Sequence, residues 1–200
     1  MPKNIIFDIG GVLLEYRWLD MLMDYGLDKE DAEEIGRKMF DDSLWSELDL
    51  ELRPTVEVIH DFQKKYPEYA QVVEWFITHG EFMHVGRPKV WELVHQLKEK
   101  GYGLYVLSNY SSDLFSKHTK DVPFLKEMDG IVVSYMIHKA KPNPEIYQYL
   151  LNQYHLIPEE CLFFDDRAEN TKAAQRLGIE AITVTSQEFL IEQLQELLNK

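Results

Sequence analysis

Short polar segments at four places in the chain carry side chains whose chemistry suits a phosphate ester. These residues are Asp8, Ser108, Asn109, Lys141, Asp165 and Asp166. Crowded carboxylates repel one another, and a divalent cation such as Mg²⁺ neutralises them through the hard oxygen ligands that it prefers. An ammonium group and a hydroxyl group beside them suit the oxygens of a phosphate. The residue types therefore indicate phosphoryl transfer with an aspartate nucleophile, a metal and a lysine that offsets charge.

Each of these residues has a more ordinary interpretation when it is taken alone. A lone Asp8 or an Asp165–Asp166 pair could cap a helix, and a serine followed by an asparagine often forms a turn. Lys141 alone would be a solvated lysine. Lys139 is a nearby alternative, although the segment KPNPEIY favours Lys141. The chemical interpretation therefore depends on whether the fold brings these residues together.

The elements that must position them are predicted from short apolar runs. Runs rich in β-branched or aromatic residues predict buried strands at 4–8, 103–108, 130–134, 161–165 and 181–185. Helical patterns cover 87–100, 143–154, 169–177 and 187–199. Strands that alternate with helices predict an α/β fold with a parallel sheet covered on both faces. Since ligands bind beyond the carboxyl ends of such strands, the polar segments are expected to converge there.

Residues 17–85 depart from this alternation and contain no convincing strand. Asp28 can cap a helix over 29–40, Pro54 can open a second over 55–66, and 70–77 fits a third. Because a block of this length is too long for a loop, it predicts a helical lid with hinges near 14–17 and 85–88. We therefore predict a core of residues 1–15 and 87–200, with an all-helical cap inserted at 16–86.

Composition and charge limit the partners. The 200 residues are 45% hydrophobic, which allows a real core, and the net charge of −14 argues against binding nucleic acid. Cys161 is the single cysteine, so no internal disulfide is possible. No apolar stretch approaches a membrane span or a signal peptide, which predicts a cytoplasmic protein that does not bind membranes. The expected partner is a small phosphorylated metabolite, and a monomer or a homodimer is expected.

Four motifs, FDIGGVL, LSN, KPNPEIY and FFDDRAEN, occur in this order along the chain. In this respect the sequence resembles the haloacid dehalogenase (HAD) superfamily, which consists mostly of Mg²⁺-dependent phosphatases, and within it subfamily IA with a helical C1-type cap. The resemblance implies a Rossmann-like, three-layer core with a parallel sheet of about five strands.

The resemblance also implies a role for each motif residue. Asp8 would attack phosphorus and become an aspartyl phosphate. Ser108, Asn109 and Lys141 would bind the phosphoryl group, and Lys141 would also orient the nucleophile. The ligands of Mg²⁺ would be Asp8, the backbone carbonyl of Gly10 and Asp166, with Asp165 acting directly or through water.

Gly10 departs from the pattern of most phosphatases of this superfamily, which have a second aspartate there for acid–base catalysis. Such catalysis contributes about 10²–10⁴-fold, so its loss need not abolish turnover. A branch that includes a bacterial α-D-glucose-1-phosphate phosphatase also has glycine here and shares the DDR signature, although it usually has Asn where this chain has Gly11. The sequence therefore predicts a Mg²⁺-dependent phosphatase of small phosphomonoesters, such as the sugar phosphate glucose 1-phosphate.

Two alternatives stay open at this point. One is a metal-independent haloacid dehalogenase, and the other is a catalytically weak phosphate-binding or regulatory protein. Several further residues could face the substrate or relay protons, although helix packing or a surface position is the simpler expectation. They are Tyr16, Arg17, Trp18, Trp45, His84 and His138.

Overall fold

The computed structural model describes residues 2–200, which contain seven strands and eleven α-helices. The strands are β1 (Asn4–Phe7), β2 (Leu14–Tyr16), β3 (His84–Gly86), β4 (Gly103–Ser108), β5 (Gly130–Val133), β6 (Cys161–Asp165) and β7 (Glu180–Thr183). The helices are α1 (Trp18–Tyr25), α2 (Lys29–Phe40), α3 (Ser43–Leu50), α4 (Thr55–Lys65), α5 (Ala70–Thr78), α6 (Pro88–Glu99), α7 (Ser112–Thr119), α8 (Ser134–Ile137), α9 (Pro144–Gln153), α10 (Ala168–Arg176) and α11 (Gln187–Asn199).

Five of the strands form one parallel sheet in the order β5-β4-β1-β6-β7. Strand β1 is central, and its Phe7 is in register with Val106 of β4 and Phe164 of β6. The predicted α/β fold with a parallel sheet of five strands is therefore confirmed. Because the strands run the same way, the residues that follow β1, β4 and β6 lie at one edge of the sheet.

Alternating residues of the central strand pack into two helical layers. Ile5 and Phe7 belong to a core cluster with α6 and α11, whereas Ile6 belongs to a cluster with α9 and α10. Since both faces of β1 are covered, its sequence is a continuous apolar run rather than an alternating one. The core thus has three layers, with helices on both sides of the sheet.

Helices α1 to α5 have a hydrophobic core of their own, which includes Met21, Ile35, Val58, Phe62 and Phe76. They form the helical cap that the sequence predicts. The exact cap boundaries at residues 16 and 86 stay a prediction.

The hinges differ from the prediction in one respect, because a short antiparallel pair of strands joins them. In β2 and β3, Leu14 is in register with Gly86, and Tyr16 with His84. The sequence predicts no strand at 84–86, because a three-residue strand is too short to show a period. The pair ties the two connections between core and cap together.

Four helices of the structure are not predicted individually from the sequence, namely α1, α3, α7 and α8. Helix α3 has only eight residues, and the Asp42 carboxylate caps it by accepting a hydrogen bond from the Leu44 N–H (3.1 Å). The other helices lie within a few residues of their predicted bounds. Within residues 2–200 no helix combines the length and apolarity needed to cross a bilayer.

Candidate active site

Asp8 follows β1 at the carboxyl edge of the sheet, and three donors converge on one of its oxygens. Oδ1 accepts hydrogen bonds from the Ile9 N–H (2.7 Å) and from Ser108 Oγ (2.5 Å), and it lies 3.0 Å from Lys141 Nζ. Oδ2 receives no hydrogen bond from the described residues. The carboxylate is therefore fixed in orientation and retains one free oxygen, which is the arrangement that a nucleophile needs.

Lys141 connects Asp8 to Asp165, and all three side chains are buried. Its Nζ donates to Asp165 Oδ2 at 2.6 Å. Burial by itself lowers the pKa of Lys141, but the Asp165 and Asp8 carboxylates outweigh burial and raise it. The ammonium group therefore stays charged at the position where phosphoryl negative charge would need compensation.

Asp165 is saturated by donors from the protein. Besides Lys141, the Arg167 N–H (2.8 Å) and Asn170 Nδ2 (2.9 Å) donate to it. A carboxylate with this many partners acts on the site by holding Lys141 in place. This favours the indirect alternative for Asp165 at a metal.

The side chain of Asn109 holds the backbone of Lys141 in place. The side-chain amide of Asn109 donates to the Lys141 carbonyl (2.9 Å) and accepts from the Lys141 N–H (2.8 Å). This reciprocal pair links the end of β4 to the segment after α8. Both ends of the Asn109 amide are thus already hydrogen-bonded to the Lys141 backbone. A direct contact between Asn109 and phosphate stays a prediction.

The acidic residues at this edge could hold a cation. Oxygens of Asp8, Asp165 and Asp166 lie within 4.8 Å of one another, and no side chain of the described residues donates to the Asp166 carboxylate. Asn170 Oδ1, a buried acceptor in the lining of the same cavity, lacks a donor among the described residues. Free carboxylate oxygens beside an orphaned acceptor fit Mg²⁺ and its bound water.

The pKa values of the same carboxyls indicate how much negative charge is concentrated here. Burial, opposed by Lys141 and aided by Asp165, raises the pKa of Asp8 to about 7. Burial and the neighbouring Asp165 raise the pKa of Asp166 to about 6. A bound cation would relieve this repulsion and favour the ionised carboxylates.

A cavity of about 360 Å³ lies between this edge and the cap. The predicted residues Asp8, Gly10, Ser108, Asn109, Lys141 and Asp166 line it. The cap and hinge contribute an aromatic and acidic wall, which consists of Tyr16, Trp18, Phe40, Asp41, Trp45 and Asp49.

Of the further residues that the sequence suggests could face the substrate, only some line the cavity. Tyr16, Trp18 and Trp45 line the cavity, whereas Arg17 turns to Asp24 and donates to its carboxylate at 2.6 Å. His84 and His138 are not among the lining residues. His138 instead bonds through Nδ1 to the Leu50 carbonyl (2.7 Å), which docks α3 of the cap onto the core.

Sequence reasoning missed Asp49 and Arg87. Arg87 is buried, and its guanidinium donates to the carbonyls of Gly11 (2.7 Å) and Val12 (3.1 Å) and to Glu15. It thereby supports the turn that follows Asp8. Neither residue lies in a recognisable motif, so only the tertiary contacts identify them.

Comparisons with known proteins agree with this geometry. The family model of haloacid dehalogenase-like hydrolases matches residues 2–178. D-ribitol-5-phosphate phosphatase from Bacteroides thetaiotaomicron is 29% identical over 197 residues, which cover 90% of each chain. A phosphatase from Mycobacterium tuberculosis is 24% identical over 187 residues, covering 90% of this chain and 86% of its own. A HAD family enzyme from B. thetaiotaomicron, solved with magnesium and inorganic phosphate, superposes with a TM-score of 0.69 at 22% identity, covering 92% and 94% of the two chains.

The family model and these relatives together define a phosphatase hydrolase. The chain belongs to the haloacid dehalogenase-like hydrolase family, and it is a phosphatase of that family.

Proposed function

We propose that this enzyme is a Mg²⁺-dependent phosphatase of small phosphomonoesters, above all sugar and polyol phosphates, and that it works through an aspartyl phosphate on Asp8. The observation that carries the proposal is the placement of Ser108 Oγ and Lys141 Nζ on one oxygen of Asp8, with the other oxygen free. Glucose 1-phosphate and ribitol 5-phosphate are the first substrates to test, the second because a relative acts on it.

The lining of the cavity supports a polyhydroxylated substrate. Trp18 and Trp45 offer aromatic faces, and Asp41 offers a carboxylate that can accept hydrogen bonds from hydroxyl groups. A second cavity shares Asp41, Asp49 and Lys141 with the first and extends the cleft between cap and core. A phosphate at Lys141 with a hydroxylated chain towards the cap fits this distribution of groups.

The residues of the chain divide the reaction between them. Asp8 Oδ2 attacks phosphorus while Oδ1 is held by Ser108 and Lys141, so the nucleophile is positioned in advance. Lys141 and the Ser108 hydroxyl then stabilise the charge on the phosphoryl oxygens. Asp8, Asp166 and the Gly10 carbonyl would hold Mg²⁺, which when bound supplies electrostatic stabilisation and orients the phosphate.

A panel of phosphate esters tests the function, with and without Mg²⁺. The panel contains ribitol 5-phosphate, glucose 1-phosphate, glycerol 3-phosphate and 4-nitrophenyl phosphate. We expect Mg²⁺-dependent phosphate release by the wild type and a loss of roughly 10⁴-fold or more in Asp8→Asn, which removes the nucleophile. Asp20→Asn, which neutralises an exposed carboxylate of α1, is the matched control and should retain activity.

Undiminished phosphate release by Asp8→Asn would contradict the proposed nucleophile, and release that a chelator leaves unchanged would contradict the proposed metal. Chloride release from a 2-haloacid without metal would instead support the dehalogenase alternative. Phosphate binding with no turnover over the whole panel would support a binding protein.

A further inference from the structure

The core offers no acid–base side chain beside the nucleophile at position 10, and the space there is already filled. A Cβ placed on Gly10 would lie 2.3 Å from Cε2 of Tyr16 and 2.6 Å from its hydroxyl oxygen. The ring of Tyr16 therefore occupies the place in which a second aspartate would stand. Tyr16 is the first group to consider as a replacement proton donor.

The proton of the Tyr16 hydroxyl is already engaged elsewhere. His118 Nε2 lies 2.7 Å from the Gly80 carbonyl, which can only accept, so Nε2 carries the proton. Burial lowers the pKa of His118 to about 4, so the ring is neutral and Nδ1 accepts from the Tyr110 hydroxyl (3.2 Å). The Tyr16 hydroxyl must then donate to the Tyr110 oxygen. Burial also raises the pKa of Tyr16 well above its usual value, which makes it a poor acid.

The cap supplies a carboxyl to the same cavity. Asp49 lies near the end of α3, lines the cavity together with Asp8, and also lines the adjoining cleft. No described residue donates a hydrogen bond to its carboxylate. Asp49 is therefore a titratable group that faces the substrate space and has no structural partner.

The position of Asp49 is fixed by the way in which α3 is docked onto the core. Ser134 Oγ donates to the Asp49 carbonyl (2.6 Å), and His138 Nδ1 bonds to the Leu50 carbonyl (2.7 Å). The next residue, Glu51, has a left-handed backbone (φ 47°) and accepts hydrogen bonds from the N–H (2.7 Å) and the hydroxyl of Ser112. Three consecutive cap residues are thus bonded to the core, which places Asp49 over the nucleophile's cavity.

The charges around Asp49 suit proton transfer near neutral pH. Burial and the Asp8 carboxylate raise the pKa of Asp49 to about 7, against the opposing effect of Arg167 and Lys141. A carboxyl in this range can exist in both protonation states at physiological pH.

We propose that Asp49 is the general acid and general base of this phosphatase, delivered by the cap in place of the aspartate missing at position 10. This inference rests on the proposed function. As Asp8 Oδ2 forms its bond to phosphorus, the bond to the ester oxygen breaks and that oxygen takes the proton of the Asp49 carboxyl, leaving as an alcohol. Water then bonds to phosphorus, the Asp49 carboxylate takes its proton, and the bond between phosphorus and Asp8 breaks to release inorganic phosphate.

Leaving groups of different acidity distinguish this role from a structural one. Alcohols from alkyl phosphates need a proton as they leave, whereas 4-nitrophenolate does not. We expect Asp49→Asn to lower kcat/KM by about 10²–10⁴-fold for whichever alkyl phosphate of the panel the wild type hydrolyses best. For 4-nitrophenyl phosphate, kcat/KM should change little while kcat falls. A rapid burst of 4-nitrophenol should precede slow turnover, because hydrolysis of the aspartyl phosphate has lost its base.

Three further variants complete the test. Asp49→Glu keeps a carboxyl group and should restore part of the turnover of the alkyl phosphate. Glu57→Gln removes an exposed cap carboxylate of α4 and should leave both substrates unaffected. Tyr16→Phe should not lower kcat/KM selectively for the alkyl phosphate, because the Tyr16 hydroxyl of the wild type donates its proton to Tyr110.

The inference is overturned if Asp49→Asn lowers kcat/KM equally for both substrates, changes it for neither, or shows no burst of 4-nitrophenol. It is also overturned if Tyr16→Phe is the variant that selectively lowers kcat/KM for the alkyl phosphate. Failure of the proposed function has a different signature, which is the absence of Asp8-dependent phosphate release by the wild type.

Discussion

Asp8 and Lys141 show how a site is built from groups that are unfavourable individually. A buried carboxylate and a buried ammonium each lose hydration, but here they lie 3.0 Å apart, and the ammonium is shared with Asp165 at 2.6 Å. The shared lysine keeps the Asp8 carboxylate oriented before any substrate binds. Removal of the Asp165 carboxylate would therefore leave Lys141 without the group that holds it, and would also remove one negative charge from the site.

At the same scale, Gly10 is required by packing as well as by its place in the motif. If position 10 had free space around it, Gly10→Asp would add the missing acid and should raise the turnover of substrates with poor leaving groups. The structure predicts the opposite, because the new Cβ would collide with Tyr16 and break its hydrogen bond to Tyr110. We expect a loss of activity and a destabilisation of about 1–3 kcal/mol, measured by urea unfolding and by turnover of an alkyl phosphate.

The double variant Gly10→Asp with Tyr16→Ala provides the control, because it removes the ring that blocks the new side chain. It should be more active than Gly10→Asp alone. A single Gly10→Asp variant with full stability and higher turnover would show that Tyr16 moves aside easily, contrary to this prediction.

At the scale of elements, the connections between core and cap are the part of the structure that aligns the site. The strands β2 and β3 pair across the two connections, and Arg87 reaches from one connection to the backbone of the other. Trp91 of α6 adds a hydrogen bond from its indole nitrogen to the Leu13 carbonyl (2.7 Å). The turn after Asp8 is therefore held from the far side of the hinge.

Arg87→Met tests this element. Loss of hydrogen bonds from a buried guanidinium to two carbonyls should cost about 1.5–3 kcal/mol in the free energy of unfolding. Activity should fall too, because the turn carrying Gly10 and Gly11 loses its support. Arg17→Met is the matched control at the same hinge, and its exposed ion pair with Asp24 is worth only about 0–1 kcal/mol. Equal effects of the two substitutions on stability and activity would contradict a special role for Arg87.

At the scale of the whole molecule, the site stores electrostatic repulsion that depends on pH. The pKa values of Asp8 and Asp49 are raised to about 7 and that of Asp166 to about 6, from 3.8. The folded, metal-free protein therefore holds protons that the unfolded chain has already released. Its stability from this source is present below the unfolded pKa and is lost as the pH rises through the folded values.

Thermal unfolding with a chelator should accordingly give a lower Tm at about pH 8 than at about pH 5. Added Mg²⁺ should raise Tm more at the higher pH, because the ion binds the ionised carboxylates and competes with protons at the lower pH. In Asp166→Asn both the pH dependence and the effect of Mg²⁺ should shrink. A Mg²⁺ effect on Tm that is identical at both pH values would be inconsistent with carboxylate ligands at this site.

Much of the fold was predictable because its signals are local. Each strand of the main sheet is a short apolar run that ends near a polar residue, and the helices between them have a clear period. The prediction that Asp8, Ser108 and Lys141 approach one another required only that the strands be parallel. The position of Asp165 and Asp166 at the same edge of the sheet was predictable for the same reason.

What the sequence by itself determined was therefore the α/β class, the parallel sheet, the presence of a cap and the identity of the residues at the strand ends. Only the tertiary structure decided which cap carboxylate lines the same cavity as those residues. Asp49 lies in a short helix without a motif, and its position depends on hydrogen bonds to Ser134 and His138 in a distant part of the chain. Periodicity reports which face of an element is buried, whereas the approach of two separately folded layers leaves no pattern in either segment.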